Sequence, residues 1–165
     1  PQSVYGVTKL AGEQAVMQAY PQSIILRTAW VYAREGANFV NTMLRLADER
    51  DELGVVEDQF GSPTLALDLA KISVSIIEQT PLNTLDQVAG VYHATGSGMT
   101  SWYGFAREVF SLAGKSVALK GIPTEAYPTP APRPHYSVLS NQKLQQVFGL
   151  QLPDWKVSLA DTLGK

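Results

Sequence analysis

The beginning of the chain combines two patterns of apolar residues, one with helical and one with strand periodicity. In residues 3–20, small or β-branched apolar side chains recur every three or four positions, which predicts a helix that ends before Pro21. Its apolar face comprises Val4, Val7, Ala11 and Ala15, and we expect that face to pack closely on a sheet. Residues 23–32 are almost continuously apolar and predict one buried strand of a parallel sheet. Together they are typical of the second half of a βαβ unit.

The rest of the chain alternates predicted helices with short strands, which indicates an α/β fold. The predicted helices cover residues 38–51, 67–80, 101–113, 141–148 and 152–165, and the strands cover residues 53–56, 90–94 and 115–122. In the helix of residues 67–80 we expect an inner face that includes Ile72, Ile76 and Ile77. We assign Trp102 and Trp155 to the core. The side chain of Asn141 is expected to cap its helix.

Composition excludes several classes of function. The chain has 165 residues, 45% of them hydrophobic, which suits one globular domain or one domain and a fragment. Its formal net charge of −2 and the lack of a basic run argue against binding to nucleic acid. No apolar run is long enough to span a membrane, and we expect a cytoplasmic location. With no cysteine and two histidines, disulfides, thiolate catalysis and His-rich zinc sites are excluded.

Tyr5 and Lys9 are the first candidates for chemistry. They are four residues apart, so a helix places both side chains on one face. A nearby ammonium favours the phenolate, which makes the phenol a better proton donor near neutral pH. Such a donor suits the reduction of a ketone, in which hydride attack builds negative charge on oxygen. The alternative is an ordinary exposed pair on an amphipathic helix, because this spacing is common by chance.

The run YGVTKLAGE, from Tyr5 to Glu13, resembles the catalytic helix of extended short-chain dehydrogenases. Residues 27–32, 58–64 and 128–137 narrow the resemblance to the dTDP-4-dehydrorhamnose reductase family. It implies the C-terminal part of a Rossmann-type fold, with the end of a parallel sheet and a smaller mixed α/β lobe. Residues 1–37 would then be a remnant of the dinucleotide-binding domain, and residues 38–165 mainly the substrate-binding lobe.

The resemblance also implies an activity. It is the transfer of hydride from NADPH (or NADH) to C4 of dTDP-4-dehydro-6-deoxy-L-mannose, which gives dTDP-L-rhamnose. In the family the tyrosine that matches Tyr5 donates a proton to the substrate carbonyl. The lysine that matches Lys9 hydrogen-bonds the nicotinamide ribose. The Gly-rich turn for the pyrophosphate and the third catalytic residue have no match here, so we expect a portion that lacks roughly the first hundred residues and binds the cofactor poorly alone.

Four residues are candidates for contact with a dTDP-sugar substrate. Trp30 follows a predicted strand, where ligands of α/β sheets lie, and could pack on a sugar ring; the alternative is a core tryptophan. Asn38 either caps its helix or contacts the diphosphate. Gln59 belongs to a loop that is either a ligand rim or a simple turn. Arg133 lies among prolines, and its guanidinium is expected either to clamp the diphosphate or to form a salt bridge that locks the loop to the lobe. His135 is expected to hydrogen-bond a backbone carbonyl.

Pairing of two copies and alternative functions stay open. Some relatives in the resembled family pair through carboxylates that hold a divalent cation. Residues 65–67 supply no acid, so we predict no metal site and leave a homodimer open. One alternative function is that of another nucleotide-sugar 4-ketoreductase or epimerase. The other is a non-catalytic regulatory subunit similar to the β subunit of methionine adenosyltransferase, which would have a protein partner and no turnover.

Overall fold

Helices and short strands alternate along the chain in the computed structural model, which describes residues 1, 3–131 and 133–165. The helices are α1 (Val4–Ala19), α2 (Phe39–Glu49), α3 (Ala66–Gln79), α4 (Leu85–Val88), α5 (Trp102–Ala113), α6 (Gln142–Phe148) and α7 (Trp155–Thr162). The strands are β1 (Ile24–Arg27), β2 (Val31–Tyr32), β3 (Glu52–Val56), β4 (Phe60–Gly61), β5 (Thr64–Leu65), β6 (Gly90–His93), β7 (Thr100–Ser101) and β8 (Ala118–Ile122). The predicted α/β class is confirmed. Pro132, which belongs to the proline-rich segment of the sequence, lies outside the described residues.

Three of the strand pairs are parallel. β1 pairs with β6, β2 with β5 and β3 with β8, whereas β4 and β7 pair antiparallel. The register of the first pair sets Arg27 opposite His93, so both strands end at the same edge. Because β1 and β2 pair with strands from later in the chain, residues 1–37 are joined directly to the rest. The division at residues 37 and 38 stays a prediction.

The single strand expected over residues 23–32 is wrong. β1 ends at Arg27 and β2 begins at Val31. Between them Trp30 has a φ of +51°, in the left-handed region, which cannot continue a pleated strand. The break allows β1 and β2 to join different partner strands.

α1 turns a different face to the protein from the one expected. Ser3 caps the helix as its position suggests, because its hydroxyl accepts a hydrogen bond from the Gly6 N–H at 3.2 Å. The partly buried residues are Gly6, Leu10, Glu13 and Met17, whereas Val4, Val7, Ala11 and Ala15 are exposed. On this side of the helix, Glu13 forms an ion pair with Arg27 at the end of β1, and Leu10 and Met17 are partly buried. The expected apolar packing face is therefore wrong.

The core consists of two groups of apolar side chains. The first joins residues of α2, α5, α7, β2, β3 and β5, and includes the predicted core residue Trp155. The second joins α3, β6 and α6 through Ile72, Ile76, Tyr92 and Leu144. Ile77, which we expected to face inward, is 73% exposed because it lies about 100° around α3 from Ile76.

The start of α6 also differs from the prediction. The Asn141 side chain makes no capping bond to the helix. Its Nδ2 donates to the Thr95 carbonyl at 2.7 Å, and its Oδ1 accepts from the Thr95 N–H at 3.1 Å. Thr95 is fully buried, so its peptide groups cannot be satisfied by water, whereas an exposed helix end can. The other end agrees with the prediction, since Gly149 ends α6 with a φ of +67°.

Candidate functional site

Tyr5 and Lys9 lie together on an exposed face of α1. The Lys9 Nζ is 5.5 Å from the centroid of the Tyr5 ring, a cation–π distance. The Tyr5 side chain is largely exposed, at 71%, and so is Lys9. The expected arrangement on one face is therefore present. The same geometry also fits an ordinary exposed pair, so it does not by itself decide between the two interpretations.

The helix that holds this pair is tied to the sheet by charge. Arg27, at the end of β1, donates from Nε and Nη2 to the two carboxylate oxygens of Glu13, at 2.8 and 2.5 Å. These hydrogen bonds lower the pKa of Glu13 and raise that of Arg27. The two-point contact fixes the middle of α1 relative to the carboxyl end of β1. It thereby limits where Tyr5 and Lys9 can lie.

Trp30 is half-buried and packed against a second tryptophan. Its ring stacks on that of Trp102, with centroids 3.5 Å apart and planes 7° from parallel. A Cβ added to Gly61 would lie 2.3 Å from Cε2 of the Trp30 indole, so only glycine fits there. The Trp30 carbonyl accepts a hydrogen bond from the Thr64 N–H at 3.1 Å. Trp102 packs against the first group of apolar side chains, in agreement with its predicted core position, and it also contacts Trp30. That contact carries no signal in the sequence, because the two residues are far apart in the chain.

The loop of residues 58–64 is fastened to the turn that follows β8. Gln59 is buried, and its Nε2 donates to the Thr124 hydroxyl oxygen at 3.1 Å. Asp58 accepts from the Thr124 hydroxyl at 2.7 Å and from its N–H at 3.2 Å, and these bonds lower the pKa of Asp58. Because this bond uses only one of the two Nε2 hydrogens of Gln59, a ligand contact would use the second N–H or the side-chain oxygen.

Asn38 caps α2. Its Oδ1 accepts from the Asn41 N–H at 3.1 Å, and its Nδ2 donates to the Ala33 carbonyl at 2.9 Å. Both polar groups of the side chain therefore have partners inside the protein. A contact with a diphosphate at this position would involve the free N–H groups of the first helical turn as well as the side chain.

The proline-rich segment reaches the same loop. The Phe60 N–H donates to the His135 carbonyl and the Ser137 N–H to the Phe60 carbonyl, each at 2.8 Å. His135 Nδ1 donates to the Asp58 carbonyl at 3.1 Å, which is the backbone contact expected of it. Arg133 is exposed, and no ion pair joins its guanidinium to another of the described residues. The three segments that follow the first helix in the resemblance thus meet at residues 60 and 61, through Trp30 and His135.

Two polar groups are buried between β2, α3 and α7. The Tyr32 hydroxyl lies near the Thr162 hydroxyl but forms no hydrogen bond of good geometry among the described residues, and burial raises its pKa. Asp68 accepts a hydrogen bond from the Ser158 hydroxyl at 2.5 Å.

Over the described ranges, no three histidine or acidic side chains lie close enough together to hold a metal ion. In the same ranges, the structure has no helix with the length and apolar character needed to cross a membrane.

Comparison with known proteins gives one consistent family. A family model described as the RmlD substrate binding domain matches residues 1–165. The dTDP-4-dehydrorhamnose reductase of Escherichia coli K12 is 50% identical over 171 residues, which cover 100% of this chain and 56% of that protein.

Solved structures agree with this result. A dTDP-4-dehydrorhamnose reductase from Clostridium acetobutylicum is 43% identical with a TM-score of 0.91, over 99% of this chain and 56% of that one. The corresponding reductase from Bacillus anthracis, solved in complex with NADP, is 38% identical with a TM-score of 0.90, over 98% of this chain and 55% of that one. This chain therefore spans a little more than half the length of the relatives that it matches.

Proposed function

The chain belongs to the family of RmlD substrate binding domains, and from this premise we propose that it is part of a dTDP-4-dehydrorhamnose reductase. The reaction is the NADPH- or NADH-dependent reduction of dTDP-4-dehydro-6-deoxy-L-mannose to dTDP-L-rhamnose. The observation that supports this proposal best is the 50% identity of the chain to a dTDP-4-dehydrorhamnose reductase, together with the exposed phenol of Tyr5 beside the Lys9 ammonium, 5.5 Å from the ring centroid to Nζ. An acid of this kind is what the reduction of a 4-keto sugar requires.

The two side chains of α1 have distinct roles in this proposal. The nicotinamide cofactor, when bound, supplies a hydride to C4 of the sugar. Tyr5 donates its phenolic proton to the C4 oxygen, so the carbonyl becomes a hydroxyl and the phenol becomes a phenolate. Lys9 stabilises that phenolate by its charge and hydrogen-bonds the cofactor ribose. Both groups fit these contacts because they are exposed side by side on one face of the helix.

Substrate contact is assigned to the three segments that meet around residues 60 and 61. We propose that Trp30 contacts the sugar and that Gln59 contributes from the loop beside it. Arg133 and the capped start of α2 at Asn38 provide for the diphosphate, since a guanidinium and free helix N–H groups both bind phosphate oxygens. Hydrogen bonds between Phe60 and residues 135 and 137 support a common site, because they hold the Arg133 segment against the loop.

Several broader proposals accompany this one. Residues 1–37 serve the dinucleotide-binding side and residues 38–165 mainly the substrate. The protein acts in the cytoplasm as an enzyme of nucleotide-sugar and polysaccharide biosynthesis, without binding nucleic acid. Pairing of two copies as a homodimer is tested by the mass of the protein in solution.

An assay of products from several 4-keto sugar nucleotides separates the reductase from a related ketoreductase or epimerase. The complete absence of turnover would favour the regulatory-subunit alternative.

The direct test is Tyr5→Phe in the active protein that contains this chain. Because a general acid typically contributes about 10²–10⁴ in rate, kcat should fall at least about a hundredfold. The measurement is NADPH oxidation with dTDP-4-dehydro-6-deoxy-L-mannose. Tyr20→Phe is the matched control: Tyr20 is an exposed tyrosine at the other end of the same helix and should keep full activity. A loss of less than tenfold in Tyr5→Phe would remove Tyr5 from the chemistry.

A further inference from the structure

We propose that Trp102 and Gly61 are positioning residues that hold the indole of Trp30 in a single orientation for the substrate. The inference rests on the proposed function in one respect, the contact between Trp30 and the sugar nucleotide. The geometry on which it is built is independent of that function. It combines a left-handed backbone, a stacked pair of indoles and a glycine without room for a side chain.

The backbone of Trp30 is in an unusual conformation that other contacts must maintain. Trp30 is the one non-glycine residue with a positive φ in the described part of the chain, at +51°. A bulky side chain pays free energy to adopt this region, so the surroundings have to over-determine it. The hydrogen bond from Thr64 to the Trp30 carbonyl fixes the peptide on the far side of the residue. The indole itself is fixed by Trp102 and Gly61.

Trp102 forms a rigid platform. It is the first residue of α5, whose start is capped by Ser101, and its ring contacts that of Phe39 with centroids 4.7 Å apart. Phe39 in turn stacks at 5.3 Å on Phe105, which is fully buried. The Trp30 indole therefore ends a row of aromatic rings that begins in the core. Movement of the indole away from Trp102 would break the 3.5 Å stacking contact.

Gly61 closes the second approach to the same ring. A Cβ at this position would meet Cε2, Nε1 and Cζ2 of Trp30 at 2.3, 2.5 and 2.7 Å. In the β4–β7 pair Gly61 lies opposite Thr100, two residues before Trp102. The glycine and the platform are therefore held at a fixed separation by one strand pair. A side chain at residue 61 would push the indole away from its place.

This arrangement limits how a ligand can contact Trp30. The ring face that stacks on Trp102 is not available to a sugar, and the Gly61 backbone covers part of the pyrrole side. A substrate can therefore contact only the parts of the Trp30 indole that Trp102 and Gly61 leave uncovered. The orientation of the ring, set by Trp102 and Gly61, then decides which sugars or nucleotides fit beside it.

The geometry can be tested by spectroscopy. Two indoles stacked at this distance couple their far-ultraviolet transitions, and they give a paired positive and negative band in circular dichroism when the long axes of the two rings are rotated relative to each other. The chain has three tryptophans, so single replacements assign the signal. The paired band should disappear in Trp30→Phe and in Trp102→Phe. It should persist in Trp155→Phe, because Trp155 is a core residue that meets Phe105 edge-on. A band that survives Trp102→Phe would overturn the inference.

The positioning role is tested by kinetics of the active protein that contains the chain. Trp102→Leu removes the flat platform and should raise KM for the dTDP-sugar at least about tenfold, with kcat changed less than about threefold. Gly61→Ala should act in the same direction. Trp102→Phe keeps a flat ring and should restore KM to within about threefold of the original value, although it loses the paired band. An unchanged KM in Trp102→Leu, or no recovery in Trp102→Phe, would overturn the positioning role.

One further measurement separates this inference from the proposed function. If the protein reduces no dTDP-4-keto sugar, the proposed function fails, and binding of dTDP-L-rhamnose, which carries a sugar for Trp30 to contact, followed by tryptophan fluorescence replaces KM. Weaker binding in Trp102→Leu, with recovery in Trp102→Phe, supports the inference. Equal binding in both variants and the original protein overturns it. Thermal melts of each variant confirm that the compared proteins are folded.

Discussion

The hydroxyl of Tyr32 is an unusual group at the scale of a single residue. The side chain is 2% exposed, and its ring meets the edge of Phe105 in the core. In the described part of the chain the oxygen forms no hydrogen bond of good geometry, although the Thr162 hydroxyl lies close enough to oppose part of the rise in pKa that burial causes. A buried hydroxyl without a partner loses its bonds to water and gains none in exchange, so it lowers the stability of the folded state.

Tyr32→Phe should therefore stabilise the protein. Removal of the unsatisfied oxygen relieves its desolvation cost, and we expect the free energy of unfolding to rise by about 1–3 kcal/mol. Tyr92→Phe is the matched control, because the buried Tyr92 hydroxyl donates to the Val88 carbonyl at 2.6 Å. That variant should lose about 0.5–1.5 kcal/mol. Urea unfolding of both variants measures the difference, and a loss of stability in Tyr32→Phe would contradict this account.

At the scale of secondary-structure elements, Asn141 connects two parts of the chain that the sequence does not link. Its side chain forms bonds with both the N–H and the carbonyl of the buried Thr95, two residues after the end of β6. The start of α6 is thereby fixed to the sheet through a side chain that local sequence rules assign to capping. The same residue type at Asn38 does cap its helix.

Serine substitutions distinguish these two asparagines. Serine is a good capping residue but too short to reproduce the bonds to Thr95. Asn141→Ser and Asn141→Ala should therefore both lose about 1–3 kcal/mol in the free energy of unfolding, because a buried peptide is left without partners. At residue 38, Asn38→Ser should stay close to the original stability, and Asn38→Ala should lose about 1 kcal/mol. Recovery of stability in Asn141→Ser relative to Asn141→Ala would contradict this account and would show that Asn141 stabilises the protein by capping α6.

The elements that the sequence predicts well are those set by neighbouring residues. Ser3 and Gly149 mark helix ends through local backbone chemistry, and the ends of the longer helices are predicted within a few residues. The strand break at Trp30 is not predictable in this way, because the apolar pattern continues through it. The packing face of α1 includes Glu13, whose ion-pair partner Arg27 belongs to another element, so helical periodicity alone does not indicate this face.

The candidate site also has features that follow from neighbouring residues and features that depend on residues far apart in the chain. The same-face placement of Tyr5 and Lys9 follows from helical periodicity alone, and the structure has it. The contacts of Trp30 with Gly61 and Trp102 join residues from three elements. No spacing in the sequence encodes them, so the sequence predicts the core packing of Trp102 but not its contact with Trp30. Their roles in substrate binding remain predictions.

At the scale of the whole molecule, one buried hydrogen bond joins the helices of the two apolar groups. Asp68 is on α3, whose Ile72 and Ile76 belong to the second group, and Ser158 is on α7, whose Trp155 belongs to the first. Both polar side chains are buried. Oδ1 of Asp68 faces the Lys71 ammonium at 3.8 Å, whereas Oδ2 is buried and depends on the Ser158 hydroxyl, because water cannot replace that donor.

Ser158→Ala should weaken the connection between the two groups. The Asp68 carboxylate would lose a charge-assisted hydrogen bond, and we expect a loss of about 1–3 kcal/mol in the free energy of unfolding. Ser73→Ala is the control, because the Ser73 hydroxyl bonds only the Leu69 carbonyl of its own helix and should cost little. Chemical denaturation measures both. Equal stability of the two variants would show that the Asp68 bond does not hold the groups together.

The exposed apolar side of α1 affects how unfolding of this chain should be measured. Val4 is 81% and Val7 55% exposed, so the folded chain presents hydrocarbon to solvent along one helix. Dyes such as ANS brighten on surfaces of that kind, and their brightening is commonly taken as a sign of a molten globule. With this chain, ANS fluorescence should increase even when the chain is fully folded. Loss of near-ultraviolet tryptophan dichroism is therefore the sounder gauge of denaturation.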